Sequence, residues 1–194
     1  MLFVFQLINI VISRVAGPMA VTQYNIAYKY FNILNMAMMI IVTPFWSACA
    51  DAYTKKDFLW MKNVIEKMEM IWKLSICVLI IMILVSSTFY DIWVGDSVKI
   101  SLSLSVMVGV YILVQNLCGI YIYMINGTSK IRLQLVVYLV SAFISVPTMY
   151  FLCSKYGITV MLLVPISVCL IQAFVAKKQL TKIIRGTASG IWIK

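Results

Sequence analysis

Polar side chains follow one face of a long apolar stretch, where they could bind an anion. Residues 21–51 read VTQYNIAYKYFNILNMAMMIIVTPFWSACAD, and no charged residue occurs from Tyr30 to Ala50. At about 100° per residue, one side of a helix over this stretch carries six polar residues: Thr22, Asn25, Lys29, Asn32, Thr43 and Ser47. A lysine within a spanning helix usually marks a substrate or ion path, because a cation is costly to place in hydrocarbon. We therefore expect Lys29 to meet an anionic group of a substrate, in a cavity that its nearest polar neighbours also line: Thr22, Asn25 and Asn32.

A second interpretation places Lys29 at the membrane–water interface. Its ammonium group would then reach water beside an aromatic belt of Tyr24, Tyr28 and Tyr30. Both interpretations stay open on the residues alone. The asparagines one turn before and after Lys29 favour the cavity.

The composition indicates an integral membrane protein without catalytic chemistry. Hydrophobic residues make up 63% of the 194, charged residues only 11%, and the mean hydropathy is +1.01, whereas soluble domains carry about 25% charged residues. The net charge of +10 reflects basic residues between and after apolar stretches, which fits membrane topology better than nucleic-acid binding. Histidine is absent, and the five cysteines form no CxxC pair. We therefore expect no catalytic residue, no metal site and no cofactor.

Hydropathy predicts an all-α bundle of spanning helices in a single membrane domain. A spanning helix needs about 20 apolar residues, so the first apolar stretch, residues 1–13, is expected to form only a partial span. Five full spans are predicted at 22–50, 74–89, 100–125, 133–152 and 158–175. Residues 51–73 carry apolar and charged residues at helical spacing, which is typical of an amphipathic helix lying on the membrane surface. A basic tail covers 176–194.

The basic residues predict which side of the membrane each loop occupies. Segment 51–73, the NGTSKIR turn and the tail share one side, because two spans separate each from the next, and together they hold twelve Lys and Arg. The other side holds Arg14, Lys99 and Lys155, with Lys29 unassigned. Because positive charge accumulates on the cytoplasmic side, we expect the amphipathic segment and the C-terminus in the cytoplasm.

Several residue strings resemble one family of transporters. They are GPMAVTQYNIAYKYFNI, TPFWSACADAYTKKDFLWMK, FYDIWVGD, INGTSKIRLQ and RGTASGIW, and in this order they resemble the polysaccharide-transport branch of the multidrug/oligosaccharidyl-lipid/polysaccharide exporter superfamily, which includes the Wzx-type O-antigen flippases. The resemblance implies two lobes of six helices around a cavity that opens alternately to each side. The implied substrate is an undecaprenyl-pyrophosphate-linked oligosaccharide, such as an O-antigen unit of lipopolysaccharide, moved across the inner (cytoplasmic) membrane.

The same resemblance assigns the chain to the C-terminal lobe, beginning midway through the seventh helix. The N-terminal lobe would then be a partner that supplies the remaining cavity residues. Cations facing the cavity recur in such flippases, and Lys29 lies in a helix where one would fit. Arg14, which follows the seventh-helix match NIVISRVAGP, is the second candidate.

Three other functions remain open. A drug or metabolite antiporter of the same superfamily needs a titratable acid or a sodium site within the membrane, and all six acidic residues lie in predicted loops or at the surface. A membrane-embedded glycan enzyme needs a large outer loop or a catalytic His/Asp set, which the sequence lacks. An inactive, truncated remnant of the transporter is the third.

Overall fold

The structure is a computed structural model that describes residues 2–95 and 98–192, with side chains from Gln6 onward. Met1, which opens the predicted partial span, lies outside the described residues. So do Asp96 and Ser97 of the predicted outer loop, and Ile193 and Lys194 at the end of the basic tail.

Helices dominate the described part of the chain, which contains no strand. They are α1 (Leu2–Val15), α2 (Gly17–Thr54), α3 (Phe58–Val94), α4 (Leu102–Gly127), α5 (Arg132–Met161) and α6 (Leu163–Ile184), followed by a 3₁₀ turn at Gly190–Trp192. The five helices α2 to α6 are long and apolar enough to cross a membrane, whereas the apolar part of α1 is shorter. The predicted all-α fold is confirmed, and the chain is a multi-pass membrane protein.

The charged segment is organised differently from the prediction. A turn after α2 places Lys56 at a φ of 58°, and the Asp57 carboxylate then caps α3 by accepting a hydrogen bond from the Trp60 backbone N–H at 3.0 Å. From Phe58 the helix runs without a break to Val94, so residues 58–73 continue directly into the span predicted at 74–89 instead of forming a separate surface helix. The physical reason is that no glycine or proline occurs within this helix, so nothing ends it where the hydropathy changes.

The last two predicted spans meet close to their expected connection. Gly157 has a φ of 81° and a ψ of −179°, which interrupts the helical backbone within α5. Only glycine adopts such a conformation readily, and the predicted link at 153–157 ends on this residue. A second, milder break at Leu162 precedes α6.

Helix α4 forms the centre of the bundle and packs mainly against α2, α3 and α6. Two of its glycines mark close approaches. A Cβ built on Gly109 would lie 2.8 Å from Leu79 Cδ1 of α3, and one built on Gly127 would lie 2.9 Å from the backbone oxygen of Trp46 in α2. Small residues allow such close helix contacts in membranes.

The three strongly basic segments gather at one end of the bundle. Lys177 in α6 forms an ion pair with Glu69 in α3 at 3.0 Å. The Gln179 side-chain nitrogen donates a hydrogen bond to the Lys130 carbonyl at 2.9 Å. We call this end, which holds the α2–α3 turn, the α4–α5 turn and the C-terminal tail, the basic end. At the opposite end, Gln23 donates a hydrogen bond to the Lys99 carbonyl at 2.8 Å.

Candidate functional site

The predicted polar face of α2 points away from the centre of the bundle. The buried side of the helix includes Ala27, Phe31, Leu34 and Met38. At about 100° per residue, the face that carries Lys29 lies on nearly the opposite side. This face, here called the α2 polar stripe, consists of Thr22, Asn25, Lys29 and Asn32.

The members of the α2 polar stripe differ in their exposure. Thr22 is exposed, and its hydroxyl donates a hydrogen bond to the Pro18 carbonyl at 3.1 Å. Asn25 and Asn32 are half-buried, and Lys29 between them is exposed. The Asn32 side-chain oxygen accepts a hydrogen bond from the Asn35 amide nitrogen at 3.0 Å. The amide nitrogen of Asn32 remains available as a donor.

Thr43 and Ser47 do not extend the stripe continuously. Both are exposed, but their hydroxyls donate to backbone carbonyls of α2 itself, to Met39 at 2.6 Å and to Pro44 at 3.0 Å. Between them and Asn32 the same side of the helix presents two apolar side chains, Met36 and Ile40, exposed by 59% and 76%. The polar surface is therefore confined to the half of α2 next to Gly17.

Contacts of the neighbouring Tyr30 show which part of α3 lies beside this part of α2. The Tyr30 hydroxyl donates a hydrogen bond to the Met82 carbonyl of α3 at 3.0 Å. Its ring packs on Phe89 and Tyr90, with centroid separations of 4.6 and 5.5 Å. Helix α3 carries no charge from Leu74 to Tyr90, so Tyr30 contacts the uncharged stretch of α3 that ends directly before Asp91.

Neither cation of the candidate site is neutralised by the part of the chain that the structure describes. No described carboxylate lies within 4.0 Å of the Lys29 ammonium group or of the Arg14 guanidinium. Arg14 is exposed in the last turn of α1. The α1–α2 break at Ala16 and Gly17 puts it at the same end of the bundle as the stripe. Both cations therefore remain available to an anion.

Sequence reasoning missed a second set of polar residues, inside the bundle. Asn35, Gln115 and Asn116 line a small recess between α2 and α4. The Asn116 amide nitrogen is buried and has no hydrogen-bond partner among the described residues, and the same holds for Gln172 in α6. Their position could not be read from the sequence, because it depends on the register between helices.

A third polar region is a cavity of about 380 Å³ at the basic end, between α3 and α6. Its walls include three cations, Lys62, Lys177 and Arg185, and two carboxylates, Glu66 and Glu69. The Tyr121 hydroxyl of α4 donates to Glu69 at 2.7 Å, so this carboxylate joins three helices. We call this region the inner cavity.

Residues 2–95 and 98–192 contain no group of three His, Cys, Asp or Glu side chains that could hold a metal ion.

A comparison of the chain with protein-family models, with curated proteins and with solved structures finds no match. The flippase family is therefore suggested by the residue strings alone.

Proposed function

We propose that the chain is the C-terminal lobe of a flippase that moves an undecaprenyl-pyrophosphate-linked oligosaccharide across the cytoplasmic membrane by alternating access. The α2 polar stripe lines the cavity, and the N-terminal lobe closes it from the other side. Lys29 offsets part of the pyrophosphate charge, with Arg14 as a second cation near the outer end. The polyisoprenoid tail stays in the bilayer between the lobes while the sugar crosses the wet interior.

The observation that carries this proposal is an exposed cation on α2 with no described carboxylate within 4.0 Å. An exposed lysine beside Tyr30, which contacts the uncharged stretch of α3 between Met82 and Tyr90, would face hydrocarbon if nothing else covered α2. A charge in hydrocarbon costs several kcal/mol, with estimates that begin at about 2.5. Snorkelling to the nearer surface lowers that cost. The half-buried amides of Asn25 and Asn32 on either side of Lys29 instead favour a hydrated surface, because amides gain nothing from lipid.

The acidic residues weigh against an ion-coupled antiporter. Of the described acids, Asp51, Asp57, Glu66 and Asp91 are exposed near helix ends. Glu69 is engaged by Lys177 and Tyr121 at the basic end. Four of these five carboxylates lie at the basic end, and Asp91 is exposed on α3 one residue beyond Tyr90.

A binding experiment tests the role of Lys29 directly. The purified chain in neutral detergent is titrated with undecaprenyl pyrophosphate, and binding is followed by native mass spectrometry. Loss of one charge-assisted contact, about 1.5 kcal/mol or more, predicts that Lys29→Gln weakens binding about tenfold. Lys29→Arg is expected to keep most of the affinity, because it preserves the charge.

Lys99→Gln supplies the matched control at the same end of the bundle. Lys99 is exposed, and its backbone carbonyl, which the substitution keeps, accepts the hydrogen bond from Gln23 of α2, so this variant is expected to bind as the parent does. If Lys29→Gln and Lys99→Gln weaken binding equally, the effect comes from net charge and not from a contact with Lys29. If Lys29→Gln binds as tightly as the parent, Lys29 does not contact the substrate.

A further inference from the structure

We propose that the inner cavity binds the headgroup of an anionic phospholipid from the membrane leaflet at the basic end. Phosphatidylglycerol is the phospholipid whose headgroup chemistry fits the cavity. This inference does not depend on the transported substrate. It follows from the charges, the aliphatic walls and the position of the cavity.

The charges of the inner cavity leave one cation in excess. Lys177 is paired with Glu69 at 3.0 Å, whereas Lys62 lies 3.8 Å from Glu66, at the limit of an ion pair. Arg185 has no carboxylate within 4.0 Å among the described residues. Three cations against two carboxylates match the single negative charge of a phosphodiester. The planar guanidinium of Arg185 suits two of its oxygens.

The rest of the wall suits a lipid better than a soluble anion. Ile65, Leu180 and Ile184 contribute aliphatic surface beside the charged groups. On the cavity face of α6, one and two turns from Lys177 towards the middle of the helix, Phe174 and Leu170 are exposed by 60% and 47%, so an acyl chain leaving the cavity would run along apolar side chains. A soluble phosphate ester would leave this surface uncovered.

The position of the cavity agrees with the depth of a headgroup. The uncharged part of α3 begins at Leu74, and Glu69 lies about 8 Å further out along the helix, at 1.5 Å per residue. Basic pockets between spanning helices next to the cytoplasmic surface are a recognised kind of headgroup site, and the volume of about 380 Å³ lies within the range of small-molecule sites.

The test uses the purified 194-residue chain, stripped of lipid in a neutral detergent, and native mass spectrometry to measure bound lipid. Dioleoyl phosphatidylglycerol is expected to bind in preference to dioleoyl phosphatidylcholine. Arg185→Gln and Lys62→Gln are each expected to weaken phosphatidylglycerol binding about fivefold, the effect of roughly one cation near a headgroup. Both side chains are exposed, so the variants are expected to melt at the parent's temperature without lipid.

Arg132→Gln and Lys67→Gln are the matched controls. Both residues are exposed at the basic end, carry the same charges and lie outside the cavity wall, so their binding is expected to equal that of the parent. Equal losses in controls and cavity variants would overturn the proposal, as would equal binding of the two lipids. Full competition by soluble glycerophosphoglycerol would also overturn it, because the cavity would then be a site for free phosphate esters.

Discussion

Three glycines of α4 allow the packing of the bundle to be tested with one repeated substitution. Gly109, Gly119 and Gly127 lie on the same central helix, and each is replaced by alanine, which adds a single methyl group. For Gly119 a new Cβ has no heavy atom of another helix within 4 Å among the described residues. For the other two the new methyl group meets a neighbouring helix.

The expected magnitudes follow from what each methyl group would contact. Gly119→Ala lowers the conformational entropy of the unfolded chain and is therefore expected to stabilise the protein by about 0.5–1 kcal/mol. At Gly109 the neighbour at 2.8 Å is Leu79 Cδ1, the end of a flexible side chain. Moving it costs about 0.5–1.5 kcal/mol, so the net change is expected to be near zero.

Gly127→Ala is expected to be the damaging change. Its Cβ would lie 2.9 Å from the Trp46 carbonyl oxygen, 3.0 Å from Cys49 Cβ and 3.1 Å from the Ala50 nitrogen. These are backbone or backbone-adjacent atoms of α2 and cannot rotate away, so α2 and α4 must separate. Overpacking of this kind costs about 1–3 kcal/mol, and the helix-propensity gain is small because Gly127 ends α4.

The assay is reversible unfolding in mixed micelles of neutral detergent and dodecyl sulfate, followed by circular dichroism. The free energy of unfolding is expected to decrease in the order Gly119→Ala, Gly109→Ala, Gly127→Ala, with about 2–3 kcal/mol between the extremes. Gly119→Ala also serves as the control for the substitution itself. A Gly127→Ala protein as stable as Gly119→Ala would refute the close α2–α4 contact.

Two further predictions concern the basic end and the sidedness of the loops. Tyr121→Phe removes the donor to Glu69 at 2.7 Å and is expected to lower the free energy of unfolding by about 1 kcal/mol in the same micelle assay. Tyr123→Phe, whose hydroxyl has no hydrogen bond in the described part of the chain, is expected to be neutral, and equal effects would contradict the contact. In a background without native cysteines, Ser129→Cys is expected to react with an impermeant maleimide only after cells are opened, and Ser154→Cys to react in intact spheroplasts. Labelling of both from the same side would contradict the predicted topology.

The spanning helices could be predicted from hydropathy because an apolar run long enough to cross a bilayer has few alternatives. Their ends were harder to predict. The change from charged to apolar residues near Leu74 suggested a boundary, but α3 continues through it because a helix ends at a backbone signal, not at a change of polarity. Asp57 provided such a signal, as an N-cap directly before the helix.

The α2 polar stripe was recognisable because its residues belong to one helix, where spacing fixes the face. Contacts between helices were not recognisable in the same way. Glu69 and Lys177 are far apart in sequence, and their ion pair depends on how α3 and α6 align. The buried amides of Gln115 and Asn116 likewise gave no sign of facing α2, because every side of a central helix is buried and periodicity carries no information there.

The close contacts of α2 and α4 bear on how the proposed lobe would move. Gly109 packs near Phe31, and Gly127 packs on Trp46, so the two parallel helices touch at points about 27 Å apart along α4, at 1.5 Å per residue. Pro44 removes one backbone hydrogen bond from α2 between these points, yet both sides of the weakened turn remain held against α4. Bending at Pro44 would have to break one of the two contacts. In the proposed alternating access, Lys29 would therefore move together with α4 instead of through a hinge within α2.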